Sequence, residues 1–130
     1  MATRMFRIIL HVGDLDAATD IYSKLLGTPG RAVGGGRVYF DIGAMTLALL
    51  VNNDGPPKSV PEYLYFAVDN LEAVHAIATE LDVLAGDEIH GRPGGEIEVR
   101  PWRERSFYAR DPWDNGLCFV DETTLFTGKR

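Results

Sequence analysis

The segments IILHVGDLDAATDIYSKL at residues 8–25 and LYFAVDNLEAVHAIATEL at residues 64–81 decide the fold, because they carry one pattern twice. A shift of 56 positions places apolar residues on apolar residues: Val12 on Val68, Leu15 on Leu71, Ala17 on Ala73, Ile21 on Ile77 and Leu25 on Leu81. A later match places Asp41 on Asp111 and Leu47 on Leu117. Similarity of this kind indicates a repeated structural unit.

Each copy predicts a strand followed by a helix. Residues 5–12 and 62–68 are rich in β-branched and aromatic residues, which favours strands. Asp14 and Asn70 are predicted N-caps, because a short side-chain oxygen accepts from the free N–H groups of a first turn. The first helix is predicted to end at Gly27. Helical spacing predicts that its buried stripe is Ala17, Ile21 and Leu25.

A predicted hairpin follows each helix, so the repeated unit is β-α-β-β-β. The hairpin strands are residues 37–42 with 45–51, and residues 105–110 with 117–120. Asn115-Gly116 favours a tight turn with positive φ, and the turn-forming residues 86–95 predict a loop insertion. We therefore expect one α+β domain over residues 1–130: module one at about 4–52, a joint at 53–61 and module two at about 62–126.

Composition excludes several classes of protein. A chain of 130 residues has the length of one domain. A net charge of −6 argues against nucleic acid; the tight group Arg100, Arg103 and Arg105 is either a solvated face or a grip for an anionic ligand. One cysteine permits no internal disulfide, and no apolar run is long enough for a signal peptide or a membrane span. We expect a cytoplasmic protein.

The segments VGDLDAATDIY at 12–22 and RDPWDNGLCF at 110–119, within the doubled unit, resemble the vicinal-oxygen-chelate superfamily. Trp102 also looks like a tryptophan common in its bleomycin-resistance-like members. That superfamily includes glyoxalase I, extradiol dioxygenases and bleomycin-binding proteins. The resemblance implies two tandem β-α-β-β-β modules whose strands form an open, barrel-like sheet containing a cleft.

The resemblance also implies four strand positions for a divalent metal. In this sequence they are Arg7, Ala48, Tyr63 and Cys118. A guanidinium and an alanine donate no lone pair, and a lone Tyr with a lone Cys does not make the His/carboxylate set that hard divalent ions prefer. We therefore expect no metal and no cofactor, although an atypical set such as His11 with Tyr63 and Cys118 stays open.

Strand alternation predicts the residues that line the cleft. The ligand-binding candidates are Arg7, His11, Tyr63, Tyr65, Trp102 and Cys118. Aromatic faces and one guanidinium suit a small aromatic or anionic molecule. Structural alternatives stand beside these roles: Arg7 paired with a carboxylate, His11 and the tyrosines in the core, and Cys118 as an inert buried thiol. His75 and His90 are expected at the surface.

Two functions of different class follow. The first is a metal-free, glyoxalase/bleomycin-resistance-like protein that binds a small molecule. The second is a lyase, isomerase or dioxygenase-type enzyme of the same superfamily. His11 is its best candidate general base, beside Arg7 as oxyanion stabiliser. A third reading is an interaction domain with a vestigial cleft. Open sheet edges also predict a homodimer.

Overall fold

The computed structural model describes residues 6–51 and 63–126, and it separates the chain into two units, residues 1–60 and 61–130. The expected joint at residues 53–61 lies outside the described residues. Neither described helix is long and apolar enough to cross a membrane.

The first unit has the predicted β-α-β-β-β order. Its elements are β1 (Arg7–Val12), α1 (Leu15–Leu26), β2 (Arg31–Gly34), β3 (Arg37–Ile42) and β4 (Met45–Val51). They form a sheet of order β1-β4-β3-β2, in which β1 is parallel to β4 and the other pairs are antiparallel. The helix packs on β3 and β4. Leu10 and Val12 are buried, whereas Arg7 and Ile9 on the alternate positions of β1 are exposed.

Both ends of α1 follow the predicted local chemistry, but its buried stripe does not. The Asp14 carboxylate accepts from the N–H of Ala17 at 3.0 Å, and Gly27 ends the helix at φ 65°. The buried residues are Ala18, Tyr22 and Leu25. The predicted stripe was therefore wrong at two of its three positions, because the Tyr22 ring packs near Phe40, with ring centroids 6.4 Å apart, and turns its side of the helix to the sheet.

The second unit repeats the order with one insertion. Its elements are β5 (Leu64–Val68), α2 (Leu71–Glu80), β6 (Glu88–Ile89), β7 (Arg92–Pro93), β8 (Glu98–Val99), β9 (Arg105–Arg110) and β10 (Gly116–Asp121). The main sheet has the order β5-β10-β9-β8, with β5 parallel to β10. Asn70 caps α2 as predicted, accepting from the N–H of Ala73. The fold class is confirmed: α+β, with two tandem modules that each carry an open four-stranded sheet.

The strand register confirms the repeat. Ile9 lies opposite Ala48 in the parallel pair β1–β4, and Tyr65 lies opposite Cys118 in β5–β10. These are the positions that the sequence self-comparison places on one another. The repeat therefore extends from sequence pattern to hydrogen-bonded register.

The insertion at residues 86–95 is a short hairpin. β6 and β7 pair across His90 and Gly91, which both have positive φ. Both ends of the hairpin are hydrogen-bonded to Tyr108 of β9. The N–H of Ala85 donates to the Tyr108 carbonyl, and the N–H of Tyr108 donates to the Gly94 carbonyl. A Cβ on Gly94 would lie 2.7 Å from the carbonyl oxygen of Asp87, so this close return requires glycine.

The turn between β9 and β10 is not the predicted one. Positive φ occurs at Asp114, not at Asn115 or Gly116. The Asp111 carboxylate accepts from the backbone N–H groups of Trp113 and Asn115 and from the Asn115 side chain. The aspartate therefore organises a longer turn, and Asn115 serves it as a buried partner.

Candidate functional site

One face of the second sheet, together with its rim, carries four of the six predicted site residues: Tyr63, Tyr65, Trp102 and Cys118. The other face packs on α2, where His75 contacts the Phe107 ring at 4.9 Å and meets the carbonyl of Gly95 at 2.8 Å. The expectation of a solvated His75 was therefore wrong. We call the face turned away from α2 the tyrosine face. Strand alternation assigns six side chains to it: Tyr65, Ala67, Ser106, Tyr108, Cys118 and Val120.

An open cavity of about 550 Å³, the aromatic pocket, lies at one end of the tyrosine face. It is lined by Tyr65, Phe66, Ala67, Trp102, Glu104, Val120, Leu125 and Phe126. Tyr65 is 56% exposed although its ring is large and apolar. Exposed aromatic rings around a concave site provide contact area for a planar ligand.

Glu104 holds two walls of this pocket together. Its side chain is buried, and Oε1 accepts from the Trp102 indole N–H at 2.6 Å. Oε2 accepts from the backbone N–H of Phe126 at 2.8 Å. We call these three residues the clamp. His90, which is exposed as expected, adds a ring contact to Trp102 with centroids 4.8 Å apart.

A second cavity of about 490 Å³, the polar pocket, shares Tyr65 with the first. Its lining is Tyr63, Tyr65, Asp87, Glu88, Ile89, His90, Tyr108 and Arg110. The Tyr65 and Tyr108 hydroxyls are hydrogen-bonded at 3.1 Å. Arg110 donates to the Tyr63 hydroxyl at 2.8 Å and lies over the Tyr63 ring. Burial, followed by the bond to Tyr65, raises the pKa of Tyr108, so this hydroxyl stays protonated.

Arg100 is a buried residue behind the tyrosine face that the sequence did not single out from its neighbours. It is only 3% exposed, and its guanidinium lies 4.9 Å from the centre of the Tyr108 ring. Of its sequence neighbours, Arg103 is exposed and Arg105 forms ion pairs with Glu72 and Asp121. The sequence indicated Arg100 only as one of three closely spaced arginines, and their spacing does not show which of them is buried.

Cys118 belongs to the tyrosine face but is fully buried among neighbouring side chains, including Tyr63 and Tyr108. Burial raises the pKa of its thiol to about 11, although hydrogen bonds with Ser106 and Tyr108 act in the opposite direction. At neutral pH the group is therefore a neutral thiol, which is a poor nucleophile and a poor metal ligand. This state agrees with the inert reading of Cys118.

The predicted site residues fall in both units. Arg7 and His11 lie on β1; Arg7 is exposed and rests over the rings of Phe6 and Tyr39, and His11 is half-buried. Arg7 forms no ion pair with any residue that the structure describes. The second unit brings Tyr63, Tyr65, Trp102 and Cys118 to one face or its rim. A cleft shared by all six stays a prediction.

The side chains at the family's metal positions do not fit a divalent ion. Arg7 is a cation, Ala48 has no donor, and the Tyr63 hydroxyl already accepts from Arg110. The fourth position is the protonated Cys118 thiol. Within residues 6–51 and 63–126, no three His, Cys, Asp or Glu side chains are grouped to hold a metal.

The two β-α-β-β-β modules, with a pocket on a sheet face, define a vicinal-oxygen-chelate type of protein. A family model described as Glyoxalase/Bleomycin resistance protein/Dioxygenase superfamily matches residues 4–119. The chain therefore belongs to this superfamily.

Solved structures agree with the fold. "Oxidase ChaP-H2" matches with a TM-score of 0.75 and 22% identity, over 93% of this chain and 94% of that one. A glyoxalase/bleomycin resistance protein from Albidiferax ferrireducens T118 has a TM-score of 0.70 and 24% identity, over 90% and 98%. Lactoylglutathione lyase from Agrobacterium tumefaciens has a TM-score of 0.65 and 21% identity, over 92% of this chain and 94% of that one. No curated protein matches the sequence. Identities this low show the fold alone.

Proposed function

We propose that this protein binds a small, planar aromatic molecule in the aromatic pocket, without a metal. The observation that carries the proposal is the pocket itself: exposed and half-buried aromatic side chains line about 550 Å³ of open space beside the sheet. The volume lies in the range of small-molecule sites. The clamp gives Trp102 a fixed position, which reduces the ordering cost of binding.

A pocket-filling variant tests this proposal without touching the core. Ala67 lines the pocket and is exposed, so Ala67→Phe should occupy ligand space with little effect on folding. Ala76 is exposed on α2, on the opposite side of the sheet, and Ala76→Phe is the matched control. We expect bicyclic aromatic probes to bind the wild type and the control by calorimetry, and to lose at least tenfold in affinity for Ala67→Phe. Equal affinity for all three proteins would place binding elsewhere.

An enzyme of the same superfamily is the second candidate. The names of two neighbours, an oxidase and a lactoylglutathione lyase, motivate it. The Tyr108 hydroxyl beside Tyr65 stays protonated, so it can donate a hydrogen bond to a substrate oxygen. His11 remains its candidate base. If turnover of an aromatic substrate is found, His11→Ala should reduce kcat; unchanged activity and unchanged affinity would remove His11 from any catalytic role.

A homodimer and a cytoplasmic location complete the proposal. In the part of the chain that the structure describes, the edge strands are β1 and β2 in the first sheet and β5 and β8 in the second. Exposed apolar side chains lie on or beside all four of these strands: Phe6, Ile9, Val33, Tyr65 and Val99. Unpaired edges with apolar neighbours favour association with a second copy.

A further inference from the structure

The guanidinium of Arg100 is a buried cation that has no carboxylate within ion-pair distance among residues 6–51 and 63–126. Nε donates to the Ser106 hydroxyl at 3.1 Å, and Nη2 donates to the Ser106 and Glu96 carbonyls at 3.1 and 3.3 Å. All three acceptors are neutral. Among the described residues, Nη1 has no hydrogen-bond partner at all. Burying an unpaired charge and an unsatisfied donor is costly, so this arrangement requires an explanation.

The carboxylate of Glu104 lies close to Arg100 along the sheet, but it binds other groups. Glu98 pairs with Ser106 and Val99 pairs with Arg105, and the N–H of Arg100 donates to the carbonyl of Glu104. Arg100 and Glu104 are therefore cross-strand neighbours, whose side chains start about 5 Å apart. They nevertheless form no ion pair, because the clamp engages both carboxylate oxygens of Glu104.

Arg100 does not line the aromatic pocket itself, but its cross-strand neighbour Glu104 does. Ser106 is the cross-strand partner of Val120, which lines that pocket. Ser106 occupies the Nε and Nη2 edge of the planar guanidinium, so Nη1 points away from Ser106. The guanidinium lies over the Tyr108 ring, and the Tyr108 hydroxyl is hydrogen-bonded to that of Tyr65, which lines both pockets.

We propose that Arg100 anchors the ligand through an acceptor oxygen, which Nη1 binds. The ligand class is then a planar aromatic compound that carries a carboxylate, phenolate or carbonyl oxygen. This inference rests on the proposed function and specifies its ligand. Because Nη1 of Arg100 is buried in the free protein, the oxygen reaches it when side chains around the guanidinium move, while Glu104 keeps Trp102 and Phe126 in place.

Three probes of equal ring size test the anchor: 2-naphthoate, 2-acetonaphthone and 2-ethylnaphthalene. The first carries an anionic oxygen, the second a neutral one, and the third none. We expect at least one oxygen-bearing probe to bind the wild type about tenfold or more tighter than 2-ethylnaphthalene, as one charge-assisted hydrogen bond provides. The comparison of naphthoate with acetonaphthone then tells whether the oxygen must be charged.

Arg100→Met is the decisive variant and Arg103→Met its control, since Arg103 is exposed and gives the same change of net charge. Arg100→Met should remove the preference for oxygen, whereas Arg103→Met should keep it. If Arg100→Met does not fold, Arg100→Lys serves, because it keeps the charge and loses the planar fork; its preference should fall several-fold.

The outcomes separate the two proposals. Equal affinity of the wild type for all three probes, or an oxygen preference that survives in Arg100→Met, overturns the anchor and leaves the aromatic site standing. Failure of every probe to bind at millimolar concentration overturns both. Loss of the preference in Arg100→Met alone supports both.

Discussion

Glu104→Gln is the substitution that most directly tests how the pocket walls are held. A carboxylate accepts from both the Trp102 indole and the Phe126 backbone N–H, at 2.6 and 2.8 Å. Glutamine has nearly the same shape but only one accepting oxygen, and its NH₂ group would face a second donor. One of the two walls must therefore lose its attachment.

The magnitude follows from the chemistry of the lost bond. A hydrogen bond to a charged group contributes about 1.5–3 kcal/mol, and a buried donor without an acceptor adds to the loss. Removing a buried charge offsets part of this cost. We expect a net loss of about 2 kcal/mol in the free energy of unfolding, which corresponds to about 8 °C in Tm for a chain of this length. Affinity for the planar probes should fall as well, because the walls are no longer held.

Urea unfolding followed by circular dichroism measures the stability change, with thermal unfolding as a second observable. Glu80→Gln is the control: Glu80 is exposed at the end of α2, and its substitution should change stability by less than about 0.5 kcal/mol. A Glu104→Gln protein as stable as the control, with unchanged probe affinity, would refute the reasoning that Glu104 clamps the walls.

Further predictions concern packing, the thiol, metal and assembly. Gly30→Ala would place a Cβ 2.6 Å from Val38 and 2.8 Å from Phe40, so it should cost about 1–3 kcal/mol in urea unfolding, while Gly86→Ala, which has open space, should not destabilise. With a thiol pKa of about 11, native Cys118 should react with Ellman's reagent at pH 7.4 far more slowly than the unfolded chain; equal rates would contradict its burial. Protein incubated with zinc, nickel, manganese or iron and then desalted should retain well below one equivalent by elemental analysis; one equivalent per chain would revive the metal enzymes of the superfamily. Light scattering at tens of micromolar should give twice the mass of one chain, and a monomer would refute the homodimer.

Local chemistry explains which features were predictable. Asp14 and Asn70 cap their helices, and Gly27 ends α1, because each acts on backbone groups within a few residues of itself. The hairpin strands and the repeat follow from alternation and self-similarity, which are also properties of short segments. The buried side of α1 was predicted wrongly for the opposite reason. Tyr22 packs near the Phe40 ring on β3, and a contact between residues so far apart in sequence cannot be predicted from the helix alone.

The sequence by itself determined the doubled β-α-β-β-β unit, the superfamily and the poor fit of Arg7 and Cys118 to a metal. Only the tertiary structure decided that Arg100 is buried while Arg103 is exposed, and that Glu104 binds Trp102 and Phe126 instead of Arg100. Whether a charged side chain is buried depends on which strands and turns pack around it, and this cannot be predicted from the segment that contains the three arginines.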